Sequence, residues 1–156
     1  MFSKKDAKVF ARLAKKIFQS KNGLPLAAFD ILVKIVPFVA CELVVVSQRG
    51  EFLLTYRKDK FWNGWHFPGG LLRYNDTFKK RLAETATREL NVKLESCEFL
   101  FPIIYRVPQT PRGHTVSMVF LCRIQGQPKE GRWFKVMPEN IIREHRKLWR
   151  QARKMI

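Results

Sequence analysis

The chain has 156 residues, 46% of them apolar, enough for one domain with its own core and no need of a disulfide scaffold. Thirty lysines and arginines against thirteen acids give a net charge of +17, which suits phosphates, nucleic acid or an anionic membrane surface without choosing among them. No apolar run reaches the ~18 residues of a membrane span, and charges interrupt the N-terminal apolar positions too often for a secretion signal, so the default compartment is the cytoplasm.

In chain order, Val9, Phe10, Leu13 and Ile17 recur at helical spacing between Ser3 and Gln19, among Lys4, Lys5, Lys8, Arg12, Lys15 and Lys16. This predicts a basic amphipathic helix that ends at "SKNG". A short helix follows over Leu26 to Lys34 and stops near Pro37. "PFVACELVVVSQRGEFLLTYR" then reads as two strands joined in a hairpin at Gln48 to Gly50. After the Gly69-Gly70 pair comes a helix from about Thr77 to Leu90, then strands near Glu98 to Tyr105, Val116 to Ile124 and Arg132 to Lys135. "RVPQTPRGH" between the first two of these is a loop, and Pro138 at a first helical position opens a last basic helix. Cys41, Cys97 and Cys122 are widely separated, without metal-ligand spacing, and read as buried thiols.

Glu89 stands out. At about 100° per residue, Phe78 and Leu82 lie within roughly 20° of it around the helix, so its carboxylate faces where the core should be. Glu84 falls on the far side, one turn from Lys80 and from Arg88, where exposed ion pairs account for it. An inward carboxylate needs a cation, a hydrogen-bond donor or the rim of a cleft. Gly69 and Gly70 upstream lack side chains, so their backbone can approach an ion or a phosphate closely.

The arrangement of "FPGG", an acid six residues on and an inward helical Glu resembles the Nudix hydrolases, whose box reads G-x5-E-x7-R-E-U-x-E-E-x-G-U with U aliphatic. Started at Gly70, the box finds Asp76 for the first Glu, Glu84 for the Arg, Thr85 for the next Glu, Arg88 and Glu89 for the paired Glu, and Asn91 for the last Gly. The surviving pattern is most similar to the degenerate box of the GDP-mannose mannosyl hydrolase branch, as is "SQRGEFLLTYR". The resemblance covers roughly Ala28 to the end of the chain. It implies an α/β (α+β) Nudix fold, a mixed β-sheet core sandwiched between helices, as a single domain over 1–156 in which 1–23 is an extra basic N-terminal helix and 24–156 the catalytic core.

It implies in addition a magnesium ion, or manganese in its place, held by the Gly69 carbonyl, Glu89 and Gln127. Glu42 and Arg57 take the substrate-binding positions, with Arg57 also at the departing diphosphate. A second leaving-group Arg of that branch is here Leu71, and its late-loop His base is Pro128. Proline takes no proton, so His114 beside the "TPRG" loop is the candidate base in its stead. The substrate so implied is a nucleoside diphosphate derivative, best a nucleotide sugar such as GDP-mannose, turned over by a homodimer. The alternative is an impaired module that binds a nucleotide, nucleic acid or protein. The basic terminal helices would suit RNA or an anionic membrane, but no RNA-binding motif accompanies them.

Overall fold

The computed structural model describes residues 3–18, 24–106 and 113–156, and the chain divides into two units, Met1–Val36 and Pro37–Ile156. The Ser20–Gly23 helix stop and the Val107–Arg112 part of the expected loop lie outside the described residues.

In the first unit, α1 (Lys4–Phe18) starts where Ser3 and Asp6 satisfy each other: the Ser3 hydroxyl accepts from the Asp6 amide at 3.1 Å, and the Asp6 carboxylate accepts from the Ser3 amide at 2.9 Å. Val9, Phe10 and Leu13 of its apolar stripe are exposed. A second helix, α2 (Leu26–Leu32), follows.

Among the described residues the second unit holds seven strands: β1 (Phe38–Val45), β2 (Phe52–Lys58), β3 (Asn63–His66), β4 (Gly69–Leu71), β5 (Lys93–Tyr105), β6 (Thr115–Gln125) and β7 (Arg132–Phe134). Two helices join them, α3 (Phe78–Leu90) and α4 (Arg143–Met155). The strands form a mixed sheet in the order β4-β1-β6-β5, with β1 and β6 parallel, and an antiparallel sheet in the order β3-β2-β7.

Alternation along β1 sets the layers. Cys41, Leu43 and Val45 pack with Leu82, Ala86 and Leu90 of α3 on one face. Val44 points the other way, into a core with Phe52, Leu54, Phe67, Leu148 and Trp149, so β2 and α4 cover that face. Phe52 meets Phe67 and Trp149 edge-on, with ring centres 5.5 and 4.7 Å apart. This is the mixed α+β architecture with helices on both sides of the sheet that the sequence leads one to expect.

The strands flanking Ser47 do not form the expected hairpin. Ser47 Oγ accepts from the Arg49 and Glu51 amides in a turn that closes through Gly50 at φ 73°, but beyond a single Val46–Phe52 bridge the two strands part into different sheets. The inward residues of each strand face one shared core, and that packing outweighs local pairing. β5 begins at Lys93, earlier than the apolar pattern suggests, because the polar "KLESCE" half pairs with β6 while staying largely exposed. Cys97 in that half is exposed, not buried, and lies opposite Cys122.

The last helix begins at Arg143, not Pro138. Trp65 donates its amide to Asn140 O at 3.0 Å and accepts from the Ile142 amide at 2.9 Å, so a turn closed by the Ile141 amide on Pro138 O lays Ile141 beside β3 before the helix can start. A Cβ on Gly64 would stand 2.2 Å from the Asn140 carbonyl oxygen, so this docking requires glycine there.

Candidate active site

Thr77 caps α3 by accepting from the Lys80 amide at 3.1 Å, and Asn91 ends it in the left-handed region at φ 54°. These ends fix which way each charged side chain points.

The first half of the helix carries a closed ion network. Arg81 is 2% exposed, donates from Nε to Asp76 at 3.0 Å and reaches Glu84 at 3.1 Å through Nη1. Lys80 adds contacts to Asp76 at 3.1 Å and Glu84 at 3.9 Å. Burial would raise the Asp76 carboxyl, but hydrogen bonds from Arg81, Lys80 and the Arg73 amide hold it down at about 2. Asp76 and Glu84 are thus occupied by cations of their own helix. Glu84 has the Lys80 partner expected of it, while Arg88 has turned elsewhere.

At the other end of α3, Glu89 accepts from the Gly69 amide at 3.3 Å. Its second oxygen accepts from Arg88 Nη2 at 2.7 Å, and the same nitrogen lies 3.4 Å from the Gly69 carbonyl oxygen. On β1, Glu42 sits opposite Gly69 in register, buried, and accepts from the Ser117 hydroxyl at 3.0 Å. A Cβ on Gly69 would fall 2.0 Å from Glu42 Oε2 and 3.0 Å from the Cys41 carbonyl oxygen, so only glycine lets this carboxyl lie against the backbone. Burial, with the neighbouring Glu89 charge adding to it, pushes the Glu42 carboxyl up to about 8 against the pull of Ser117 and Arg57.

Arg57 on β2 pairs through Nε with Asp59 at 2.5 Å and lies over the Trp62 ring at 4.6 Å. Trp62 in turn donates from its indole to the buried Glu144 at 3.2 Å. Behind them, His66 bonds Thr55 at 3.1 Å and the Phe67 carbonyl at 2.7 Å, while the Phe67 amide donates to His145 at 2.9 Å. Burial, then the Arg57 charge, lowers His66 to about 4. His145 is lowered by burial, His66 and Arg57, so both imidazoles are neutral structural groups.

Of the residues expected at the site, Gly69, Glu89 and Glu42 come together, and the Arg57 charge is felt at Glu42. Gln127 is exposed in the loop after β6, which is tied to the end of α3 by the Lys129 amide donating to Leu90 O at 3.1 Å. No contact joins its side chain to Gly69 or Glu89 among the described residues. His114 is exposed at the start of β6, where its carbonyl accepts from the Phe38 amide. Phe38 is four residues from Glu42 along β1, about 13 Å at strand spacing, so His114 is not brought to the Gly69 turn.

Sequence reasoning missed Ser117 and Tyr105, and gave Thr85 only as a box position without its acid. Ser117 could have been found as the lone small polar residue at an inward position of β6. Tyr105 and Thr85 are buried with hydroxyls that have no hydrogen-bond partner among the described residues. The Thr85 hydroxyl faces Gly70, 3.3 Å from where a Cβ there would stand.

The oxygens that converge on Gly69 are a carbonyl and carboxyl groups, the donor kind a hard divalent cation takes, and in this respect the site fits magnesium. Among the described residues no three His, Cys, Asp or Glu side chains come together as a metal-binding group, at this turn or elsewhere, so an ion here would lean on backbone and substrate oxygens.

A glycine turn packed against the end of a helix, on a mixed sheet with helices on both faces, is the architecture of the Nudix class. The chain belongs to that family: the NUDIX domain model matches residues 37–155, which places it among the hydrolases of nucleoside diphosphate derivatives. The chain is similar in structure to the MutT NUDIX hydrolase from Burkholderia pseudomallei, with a TM-score of 0.65 and 22% identity over 75% of this chain and 98% of that one. The NUDIX domain of Shewanella oneidensis NrtR, solved with ADP ribose, gives 0.61 and 20% identity over 83% and 95% of the two chains. A bifunctional NMN adenylyltransferase/ADP ribose pyrophosphatase from Francisella tularensis gives 0.56 and 18% identity over 74% of this chain and 40% of that one. At these identities the likeness is one of fold. No curated protein sequence matches the chain. Among the described residues no helix is long and apolar enough to cross a membrane.

Proposed function

We propose that the chain hydrolyses a nucleoside diphosphate linked to a second group, with a nucleotide sugar such as GDP-mannose the best-matched substrate, at the turn where Gly69, Glu89 and Glu42 meet. The observation that carries this reading is the Gly69 amide donated to Glu89 at 3.3 Å, beside a Gly69 α-carbon that Glu42 crowds from β1. Glu89 from α3 and Glu42 from β1 thus both lie against Gly69 of β4, which supports the reading.

The Gly69 carbonyl and Glu89 would hold a magnesium or manganese ion together with the substrate's phosphates, and Gln127 is the third ligand assigned by resemblance. Such an ion screens phosphate charge and acidifies its bound water. Arg57, held by Asp59 and stacked on Trp62, presents a guanidinium to the charge that develops on the departing diphosphate. Glu42, buried against Gly69 and held by Ser117, takes the substrate-holding position that the resemblance assigns to it. His114 is the only histidine outside the buried pair and serves as base solely if substrate draws it across from the start of β6. A homodimer completes the reading and light scattering tests it; contact of the basic terminal helices with RNA or an anionic membrane is a separate alternative that no motif accompanies, tested by RNA or vesicle sedimentation.

A panel of nucleotide sugars and dinucleotides, incubated with magnesium or manganese and analysed for products in isotopically labelled water, tests the activity and reports whether phosphorus or the sugar carbon is attacked. Turnover of one class supports the reading. Tight binding of the whole panel without turnover replaces it with the binding module. That second reading is favoured by Thr85 and Arg88 standing at acidic box positions and by Leu71 and Pro128 at two further catalytic ones.

A further inference from the structure

The cation position of this site already holds a cation. Arg88 Nη2 is 2.7 Å from Glu89 Oε1 and 3.4 Å from the Gly69 carbonyl oxygen, the two oxygens just assigned to a divalent ion. The same nitrogen lies 3.4 Å from where a Cβ on Gly70 would stand, so the guanidinium is spread over both glycines. Its hydrogen bonds among the described residues go to these two oxygens.

We infer that Arg88 is a tethered substitute for the divalent cation: it occupies the Gly69–Glu89 oxygen pair in the free protein, and the ion enters only when a phosphate group draws the guanidinium away. The inference rests on reading Gly69 and Glu89 as metal ligands. A magnesium ion sits about 2.1 Å from its oxygens, which would put it nearly in contact with a guanidinium nitrogen bonded to the same carboxylate. Two cations so close repel each other strongly in a partly buried site, so occupation is exclusive.

Arg88 can leave where Arg81 cannot. The Arg88 side chain is 49% exposed, whereas that of Arg81 is 2% exposed and gripped by Asp76 and Glu84. A diphosphate offers Arg88 a bidentate partner of higher charge than Glu89. Once Arg88 transfers, the carboxylate and the carbonyl are released to the ion. Ion and diphosphate therefore bind cooperatively, and each raises the affinity for the other by the same factor.

The test is titration of manganese, followed by electron paramagnetic resonance, against the full chain as wild type, Arg88→Gln, Arg88→Ala, Glu89→Gln and Arg88→Gln/Glu89→Gln, each without and with GDP. Thermal melts verify that every variant is folded. Without GDP, both Arg88 variants bind manganese about tenfold more tightly than wild type, and the double variant loses that gain. GDP tightens manganese binding by wild type more than by Arg88→Gln. If the Arg88 variants match wild type while Glu89→Gln binds more weakly, Arg88 is no competitor, but the metal reading stands. Indifference of binding to Glu89 in every background removes both.

Discussion

The two ends of α3 carry the same kinds of side chain and do opposite things with them. Around its start, Asp76 and Arg81 pair almost wholly out of solvent, with Lys80 and the more exposed Glu84 at the rim of the network. At its finish, Glu89 and the half-exposed Arg88 stand over a glycine turn, paired with each other and with the Gly69 backbone. A closed network holds the helix to the loop before it. An open pair can exchange partners, which is what a binding site requires.

The contrast breaks first in stability. Arg81→Ala leaves Asp76 buried without its main partner and should cost about 3–5 kcal/mol in urea unfolding. A loss below about 1 kcal/mol would mean that the first network is as open as the second.

Next is Gly69→Ala, whose methyl would overlap Glu42 and press on the Cys41 carbonyl. About 1–3 kcal/mol of destabilisation is expected, because Glu42 must leave its place to admit the Cβ. Glu42→Ala should restore most of that loss in the double variant.

A smaller effect is visible in pH. Glu42 titrates at about 8 in the fold against 4.5 for the free group, so between these values the folded state holds a proton that the unfolded state has released. Its contribution is fully present below pH 4.5 and is lost as pH rises through 8, at roughly 1 kcal/mol per pH unit. His66, lowered to about 4 from 6.5, acts in the opposite sense, with stability present above pH 6.5 and lost as pH falls toward 4. The two oppose each other below pH 6.5, so the clean window is pH 6.5 to 8 in metal-free buffer. There wild type should lose stability with rising pH, and Glu42→Gln should not.

The smallest effect is expected at His114, exposed at the far end of β1. His114→Gln should leave turnover within about twofold, the range of a surface change. A loss of a hundredfold would mean that substrate draws it across as the base.

Much of this was legible in the sequence. Helical spacing turns Glu89 toward Gly69, and the glycine pair marks where backbone and carboxylate approach. The partner of Glu89 was not legible, because Arg88 looks outward on a helical wheel and reaches back only through its long stem. Glu42 read equally well as a solvent-facing mid-strand acid. Its burial depends on β1 pairing with both β4 and β6, which brings Gly69 and Ser117 to it from distant parts of the chain. The parting of β1 from β2 and the late start of α4 have the same origin, since residues remote in sequence outcompete local pairing and a favourable first-turn proline.

The most direct measurement is magnesium-dependent hydrolysis of a nucleotide sugar by wild type and Glu89→Gln, with unfolding of both followed in parallel. Glu89→Gln is expected to lose turnover on the order of 100-fold, at a stability within about 1 kcal/mol of wild type. Equal turnover by the two proteins would contradict the assignment of the Gly69–Glu89 turn as the site of chemistry.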